Sequence, residues 1–495
     1  MLTNKLGSAL FRYLQIIVFA FSMFLFVLGQ VNHDNIQLFF SLGLLFLANL
    51  AYGLEKMRER FVFFLFNFAC IFFLYGRTLI RITEQDNWQG DYSTQAHYQT
   101  ITMIYVSMLF LLFGAIFFGQ FRNKKVNIKP VIVRKRIWQT EEFIKNLQII
   151  TFIVYMVLAV FMLLVEIEKP IRLKGAAYTE YYYNYQSSLP GIVISLAALA
   201  KFALCLFLAT LPSKMFGFIA LGVYVASTIP VFIVGQRNQF ISAALFTVCY
   251  YLFRDCLALK ENKDRKQIKK WFGKFEGTAI AIAMPFMFAF LSIYESIRLG
   301  LPVKSVKLFS SISDLFYTQG ITYDVICKCM EYLDQFPTTN ISYTFGQIIN
   351  YFKGNVIGSF LGFEKPVSQT VESALYGNSL GDTISYLDLG EQYLKGAGWG
   401  SSFIVEFFID YGYVGVAILS FVLGIFLMWV TKNFGKNCLK SYCILVLMIQ
   451  LFMLPRSTST GWIVLLIYIP AILMVVAIFA ITFLMQKKYY KDKRG

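Results

Sequence analysis

The 495-residue chain is 57% hydrophobic and 18% aromatic, with only 15% charged residues. Apolar runs of about 20 residues, the length a helix needs to cross a bilayer core, recur along nearly all of it, which excludes a water-soluble domain. The net charge of +17 would suggest nucleic acid in a soluble protein, but the placement of the basic residues excludes that partner here.

Taken in chain order, the pattern predicts an all-α polytopic membrane protein. About twelve transmembrane helices fall near residues 8–30, 36–54, 61–80, 101–121, 147–167, 191–211, 215–234, 239–253, 278–297, 408–431, 441–454 and 461–485. The first follows Lys5 and Arg12 without a small-residue cleavage site, so it reads as a span and not a removable signal. With the N-terminus inside, segments 56–60, 122–145, 254–274, 432–440 and the tail from Lys487 are cytoplasmic and hold most of the 45 Lys and Arg. Both termini are then cytoplasmic, and the charge serves topology and contact with anionic lipid.

This places one integral membrane domain in three stretches. Residues 1–297 carry the first nine spans with short outer loops, 298–407 form a large extracytoplasmic loop, and 408–495 carry the last three spans and a basic tail. The first outer turn holds His33, and the loop near 81–100 holds Arg81, Glu84, Asp91 and His97; both histidines read as ordinary surface residues. Near 168–190, Arg172 and Lys174 precede a tyrosine cluster, either an interfacial belt or a sugar-stacking surface. The long loop shows helical spacing of apolar residues at 308–317 and 323–336, which predicts a folded cap of short helices.

Two predicted spans are short. Residues 239–253 offer about 15 residues, or roughly 22 Å, against a core of about 30 Å, and 441–454 is no longer. An arginine in a polar turn meets each: Gly235-Gln-Arg-Asn238 and Pro455-Arg-Ser-Thr-Ser-Thr460. Polar backbone below headgroup level is tolerated where it is buried in protein or lines a wet cavity, so Arg237 and Arg456 are expected in one outward-open cavity. Arginine donates in pairs and keeps its charge, which suits a diphosphate. For Arg77, Arg81 and Arg298, snorkelling to the interface is the ordinary alternative.

The densest stretch is Gly396-Ala-Gly-Trp-Gly-Ser-Ser-Phe-Ile-Val-Glu406, which runs into Phe407-Phe-Ile-Asp-Tyr-Gly-Tyr-Val-Gly415. Gly396, Gly398 and Gly400 permit a close backbone approach, and Ser401, Ser402 and Glu406 lie where the chain returns to lipid. Glu406 and Asp410 share a helix face, where like charges repel, so a nearby arginine or a retained proton is expected. Either is a candidate general base, with Glu295 as a third and Asp314 and Asp382 behind them. Lys201, midway along its span, pairs with an acid or stays neutral. Cys327 and Cys329 are two apart, too close for an ordinary bridge, and read as packing thiols. There is no phosphate-cradling Walker loop, Asp-x-Asp, zinc-type cluster or dinucleotide fingerprint, so neither cofactor nor metal is expected.

In its order of motifs the chain resembles the O-antigen or capsular repeat-unit polymerases of the Wzy type. The resemblance lies in Gly235-Gln-Arg-Asn238 before an apolar helix, Phe316-Tyr-Thr-Gln-Gly-Ile-Thr-Tyr323, the segment 396–406 with Gly412-Tyr-Val-Gly415, and Pro455-Arg456. It covers mainly residues 230–460; residues 1–200 match in hydropathy alone. It implies a metal-independent, membrane-embedded glycosyltransferase of the polyprenyl-phosphate-using (GT-C) type. Such an enzyme joins undecaprenyl-diphosphate-linked oligosaccharide units en bloc at the outer face of the bacterial plasma membrane. It fits Arg237 and Arg456 as electrostatic stabilisers, Glu406 as base, and Gly396, Gly398 and Gly400 shaping the backbone around sugar or phosphate. Asn238, Arg172, Ser401, Ser402, Asp410 and Glu295 are read toward substrate from the residues themselves, since the resemblance carries no assignment onto Arg172, His33 or His97. A chain-length regulator and a repeat-unit flippase would be its partners. A ligase shares this architecture. A flippase would require a charged path through the bilayer and internal repeats, which the sequence does not show, and a scaffold leaves the paired arginines unexplained.

Overall fold

A computed structural model describes residues 2–84, 88–121, 140–172, 185–233, 237–261, 271–273, 278, 308–338 and 342–492. Among these there is no strand. In chain order the helices are α1 (Leu2–Asn32), α2 (Asn35–Glu55), α3 (Met57–Glu84), α4 (Thr94–Phe121), α5 (Glu141–Arg172), α6 (Gly191–Ala209), α7 (Lys214–Ser227), α8 (Ile229–Ile233) and α9 (Arg237–Glu261). They continue with α10 (Leu308–Gln319), α11 (Thr322–Glu331), α12 (Gly346–Lys353), α13 (Val356–Phe360), α14 (Val371–Tyr376), α15 (Leu380–Leu389), α16 (Glu391–Leu394), α17 (Phe403–Asn433), α18 (Cys438–Leu451), α19 (Gly461–Val464) and α20 (Ile469–Asp492).

Ten helices among the described residues are long and apolar enough to cross a membrane, and the chain is a multi-pass membrane protein. The expected span at 278–297, with Glu295 and Arg298, lies outside the described residues but for position 278. One expectation is corrected. The helix after Gly235-Gln-Arg-Asn238 does not stop near 253 but runs 25 residues as α9, because Arg254 and Asp255 extend it with satisfied side chains. Arg254 donates to the Pro212 carbonyl at 2.7 Å, and Asp255 accepts from the Trp271 amide at 2.6 Å. The shortness of α18, 14 residues, stands.

The chain divides into two compact units. The first comprises residues 1–123, 277–432 and 451–464. Its helices pack through small and polar residues, as helices do where lipid removes the hydrophobic drive. A Cβ on Gly114 would fall 2.0 Å from the Phe421 carbonyl, and one on Gly424 2.1 Å from that of Leu111, so α4 and α17 touch backbone to backbone. Ser107 and Ser420 share a hydrogen bond of 2.8 Å in the same contact, and Asn49 donates to Asn67 at 2.9 Å between α2 and α3. Asp34 caps α2 by accepting from the Ile36 amide at 2.8 Å.

Two irregularities set the site. A π turn at Ile71–Tyr75 interrupts α3 just before Arg77. At Gly412, φ is +62°, and α17 breaks there into a short leading segment and the long membrane helix. A side chain would strain that left-handed backbone, which is why glycine stands at the break.

The second unit comprises residues 124–276, 433–450 and 465–495, with α5 packed on α6, α7 and α20. Lys201 on α6 lies 5.6 Å from the Phe202 ring centroid, with no carboxylate paired to it among the described residues.

Candidate active site

Three of the four motif pieces converge in the first unit. The 316–324 stretch closes α10 and opens α11, 396–406 crosses to α17, and 454–460 precedes α19. The fourth piece opens α9 in the second unit; residues 234–236 and the Arg237 side chain lie outside the described residues, and Asn238 is exposed on the first turn.

Arginines gather at the last turn of α10. Arg456, half-buried in a 3-10 turn, donates through Nη1 to Gln319 Oε1 at 2.7 Å. Arg77 donates to the Tyr317 carbonyl at 3.0 Å and stands 4.2 Å over the Tyr317 ring. Its Nε is also 2.8 Å from Asp324 Oδ2. Arg81, one turn on along α3, makes a two-pronged pair with the same carboxylate at 2.8 and 3.0 Å. Neither arginine snorkels, since both are turned inward. The backbones must meet for this to happen: a Cβ on Gly320 would lie 2.5 Å from Arg77 Cβ. Three guanidinia thus surround one helix end, two of them paired with Asp324.

The glycine-rich segment lies against the 3-10 turn that carries Arg456. Gly396 has φ +105°, and a Cβ on Gly400 would be 3.8 Å from the Arg456 carbonyl oxygen. Trp399 is pinned by its amide to Ser385 Oγ and by Nε1 to Asp388, both at 2.7 Å, while Lys328 also donates to Asp388 at 2.9 Å. Gly398 lies beside Ser385. The segment is therefore held at several points before it reaches Ser401.

Glu406 is 1% exposed and bridges two segments. Ser401 Oγ donates to one carboxylate oxygen at 2.6 Å, and the Ser459 amide donates to the other at 2.7 Å. Asp410 accepts from the amides of Thr344 at 2.8 Å and Tyr343 at 3.2 Å and from Ser342 Oγ at 3.2 Å. Among the described residues the two carboxylates are met by hydroxyls and backbone amides and by no arginine, where their spacing had suggested an arginine or a retained proton. Ser402 Oγ is buried and has no hydrogen-bond partner among the described residues. Burial pushes the Tyr343 phenol up to about 12 and raises the Cys327 and Cys329 thiols, so these groups stay protonated.

Other sequence candidates fall elsewhere. Arg172, in the second unit, pairs with Glu168 at 3.3 Å and donates to the Gln186 carbonyl at 3.1 Å. His97 is no surface residue: it is fully buried on α4, its Nδ1 2.9 Å from Tyr323 Oη and its Nε2 2.9 Å from the Gln89 carbonyl. Asp324 was missed, although Arg77 and Arg81 at i and i+4 share a face, and an aspartate next to Tyr323 was the signal that they had a partner.

The sequence profile of the O-antigen polysaccharide polymerase Wzy family matches residues 13–489. The chain belongs to this family. It is a repeat-unit polymerase of surface-polysaccharide synthesis, and the profile takes in residues 13–200, where the resemblance had lain in hydropathy alone. No curated protein and no solved structure matches the chain. The arginine cluster and the glycine-rich segment thus sit inside a polymerase whose substrates are oligosaccharide repeat units.

Proposed function

We propose that the polymerase uses repeat units carried on undecaprenyl diphosphate, and that the arginine cluster at the end of α10 holds the diphosphate. The observation that carries this is the gathering of three guanidinia at one helix end, Arg77 and Arg81 held by Asp324 and Arg456 oriented by Gln319. A leaving diphosphate needs that charge most as its bond to sugar breaks, and pre-oriented guanidinia supply it at no cost in reorganisation. Fixed arginine charge also lets the transfer proceed without a metal ion.

In the reaction, a hydroxyl oxygen of the acceptor unit's non-reducing sugar attacks the anomeric carbon at the reducing end of the growing chain. The bond from that carbon to the diphosphate oxygen breaks, and its electron pair leaves with undecaprenyl diphosphate. The hydroxyl proton passes through Ser401 to Glu406, which is already hydrogen-bonded to it. Asp410 acts indirectly, by fixing the turn at 342–344 that also touches Ser459. Gly396, Gly398 and Gly400 let sugar or phosphate approach the backbone. Arg456 is the foremost electrostatic residue, and Arg237, Asn238 and Arg172 are candidates to be tested singly. The cluster faces outward across the plasma membrane, with 298–407 as the outer cap and both termini inside.

Purified protein in nanodiscs should convert lipid-linked units to a ladder of multimers, with one undecaprenyl diphosphate released per linkage and no loss in chelator. Units left single, or a ladder abolished by chelator, would contradict the reading. Transfer to a different glycan acceptor would indicate a ligase.

A further inference from the structure

Exposed apolar side chains beyond the spans concentrate between residues 345 and 371 of the first unit. Their peak is a tip built on α13: Val356 is 84% exposed, Phe360 89% and Leu361 62%, with Phe363 following. The tip is a formed structure. Gly362, at φ +79°, ends α13, its amide donating to the Ser359 carbonyl at 3.1 Å and the Phe363 amide to that of Gly358 at 2.9 Å. The chain then folds back, so that a Cβ on Gly354 would lie 3.1 Å from the Lys365 side chain.

Its base is anchored to the leading ends of two membrane helices. Asp410, near the start of α17, accepts from the 342–344 turn that opens α12. α12 also packs on α19, which leads into the last span, and Gln347 lies against Gly461. Both attachments, to the first turns of α17 and to α19, lie within the first unit. One residue past Asp410, Tyr411 begins a series of exposed residues on α17 that includes Tyr413 and Val414. The apolar tip is therefore tied to the end of α17 at which its exposed apolar surface begins. Lys353 and Lys365 stand on either side of the tip, with Glu364 as the one acid between them. Cations flanking an apolar wedge match anionic headgroups above acyl chains.

We infer that α13 and the turn after it form an interfacial anchor, its Val356, Phe360, Leu361 and Phe363 inserted at the headgroup–acyl boundary of the bilayer. The inference rests on placement alone and is independent of the transfer chemistry proposed above. The test is photocrosslinking of the full chain in vesicles of phosphatidylethanolamine and phosphatidylglycerol. Phe360→p-benzoylphenylalanine should give lipid adducts by intact mass, several-fold above the same replacement at Glu391, which is exposed away from the tip. A protein–protein adduct, or a lipid yield no higher than at position 391, would overturn the anchor. Phe360→Trp gives an independent reading: its added emission should be quenched by brominated lipid, and unquenched emission would equally overturn it.

Discussion

Ser401 and Ser402 are neighbours, both buried, with opposite expected roles. Ser401 Oγ holds Glu406 at 2.6 Å, whereas Ser402 Oγ has no partner among the described residues. Ser401→Ala should lower kcat about 100-fold, the scale of a lost proton-transfer group. Ser402→Ala should leave kcat unchanged and the protein as stable or more so, since it removes an unsatisfied buried hydroxyl. Steady-state turnover and thermal melts of the two variants separate these outcomes. Glu406→Gln should likewise reduce kcat with KM little changed; a loss of stability with normal kcat would make Glu406 a brace only. The Asp324 side chain is 3% exposed between buried Arg81 and half-buried Arg77, so Asp324→Ala leaves charge uncompensated. A destabilisation of about 3–5 kcal/mol is expected, read by denaturant unfolding in detergent.

At the scale of elements, the contact of α4 with α17 carries Glu406 to its place. The Cβ position of Gly424 is 2.1 Å from the Leu111 carbonyl oxygen, so Gly424→Leu must force the helices apart. Overpacking of this kind costs about 1–3 kcal/mol or more. Folded yield and activity should fall together, while Gly222→Leu, with open space at its Cβ, should do neither. The spans themselves were legible in sequence because hydropathy reports length and apolarity directly. The glycine–backbone contact was not, because which glycine meets which carbonyl depends on how two helices cross. Likewise the π turn at Ile71–Tyr75 leaves no mark in an apolar run, yet it precedes the arginines that turn inward to Asp324. The length of α9 was misjudged because Arg254 and Asp255 look like a membrane boundary, whereas their hydrogen bonds let the helix continue.

For the molecule as a whole, the basic segments at 56–60, 122–145, 254–274 and 432–440 predict the cytoplasmic side, and the motif-bearing segments then lie outside. Sequence order singled out the 235–238, 316–323, 396–406 and 455–456 pieces as belonging together; the fold unites the last three around Gln319, Gly400 and Glu406, while 235–238 leads into α9 in the second unit. The shared face of Arg77 and Arg81 signalled a partner, but which acid it was could not be read because Asp324 is more than two hundred residues away. The central claim is that fixed arginine charge at the end of α10 stabilises a departing diphosphate. The most direct measurement is the turnover of lipid-linked units by Arg456→Lys beside Arg172→Lys, both checked for folding. Lysine keeps the charge but not the paired donors, so Arg456→Lys should lose about 100-fold or more in kcat and yield no ladder, while Arg172→Lys polymerises nearly as the parent does. Full activity in Arg456→Lys, with the loss falling on Arg172→Lys instead, would contradict the account.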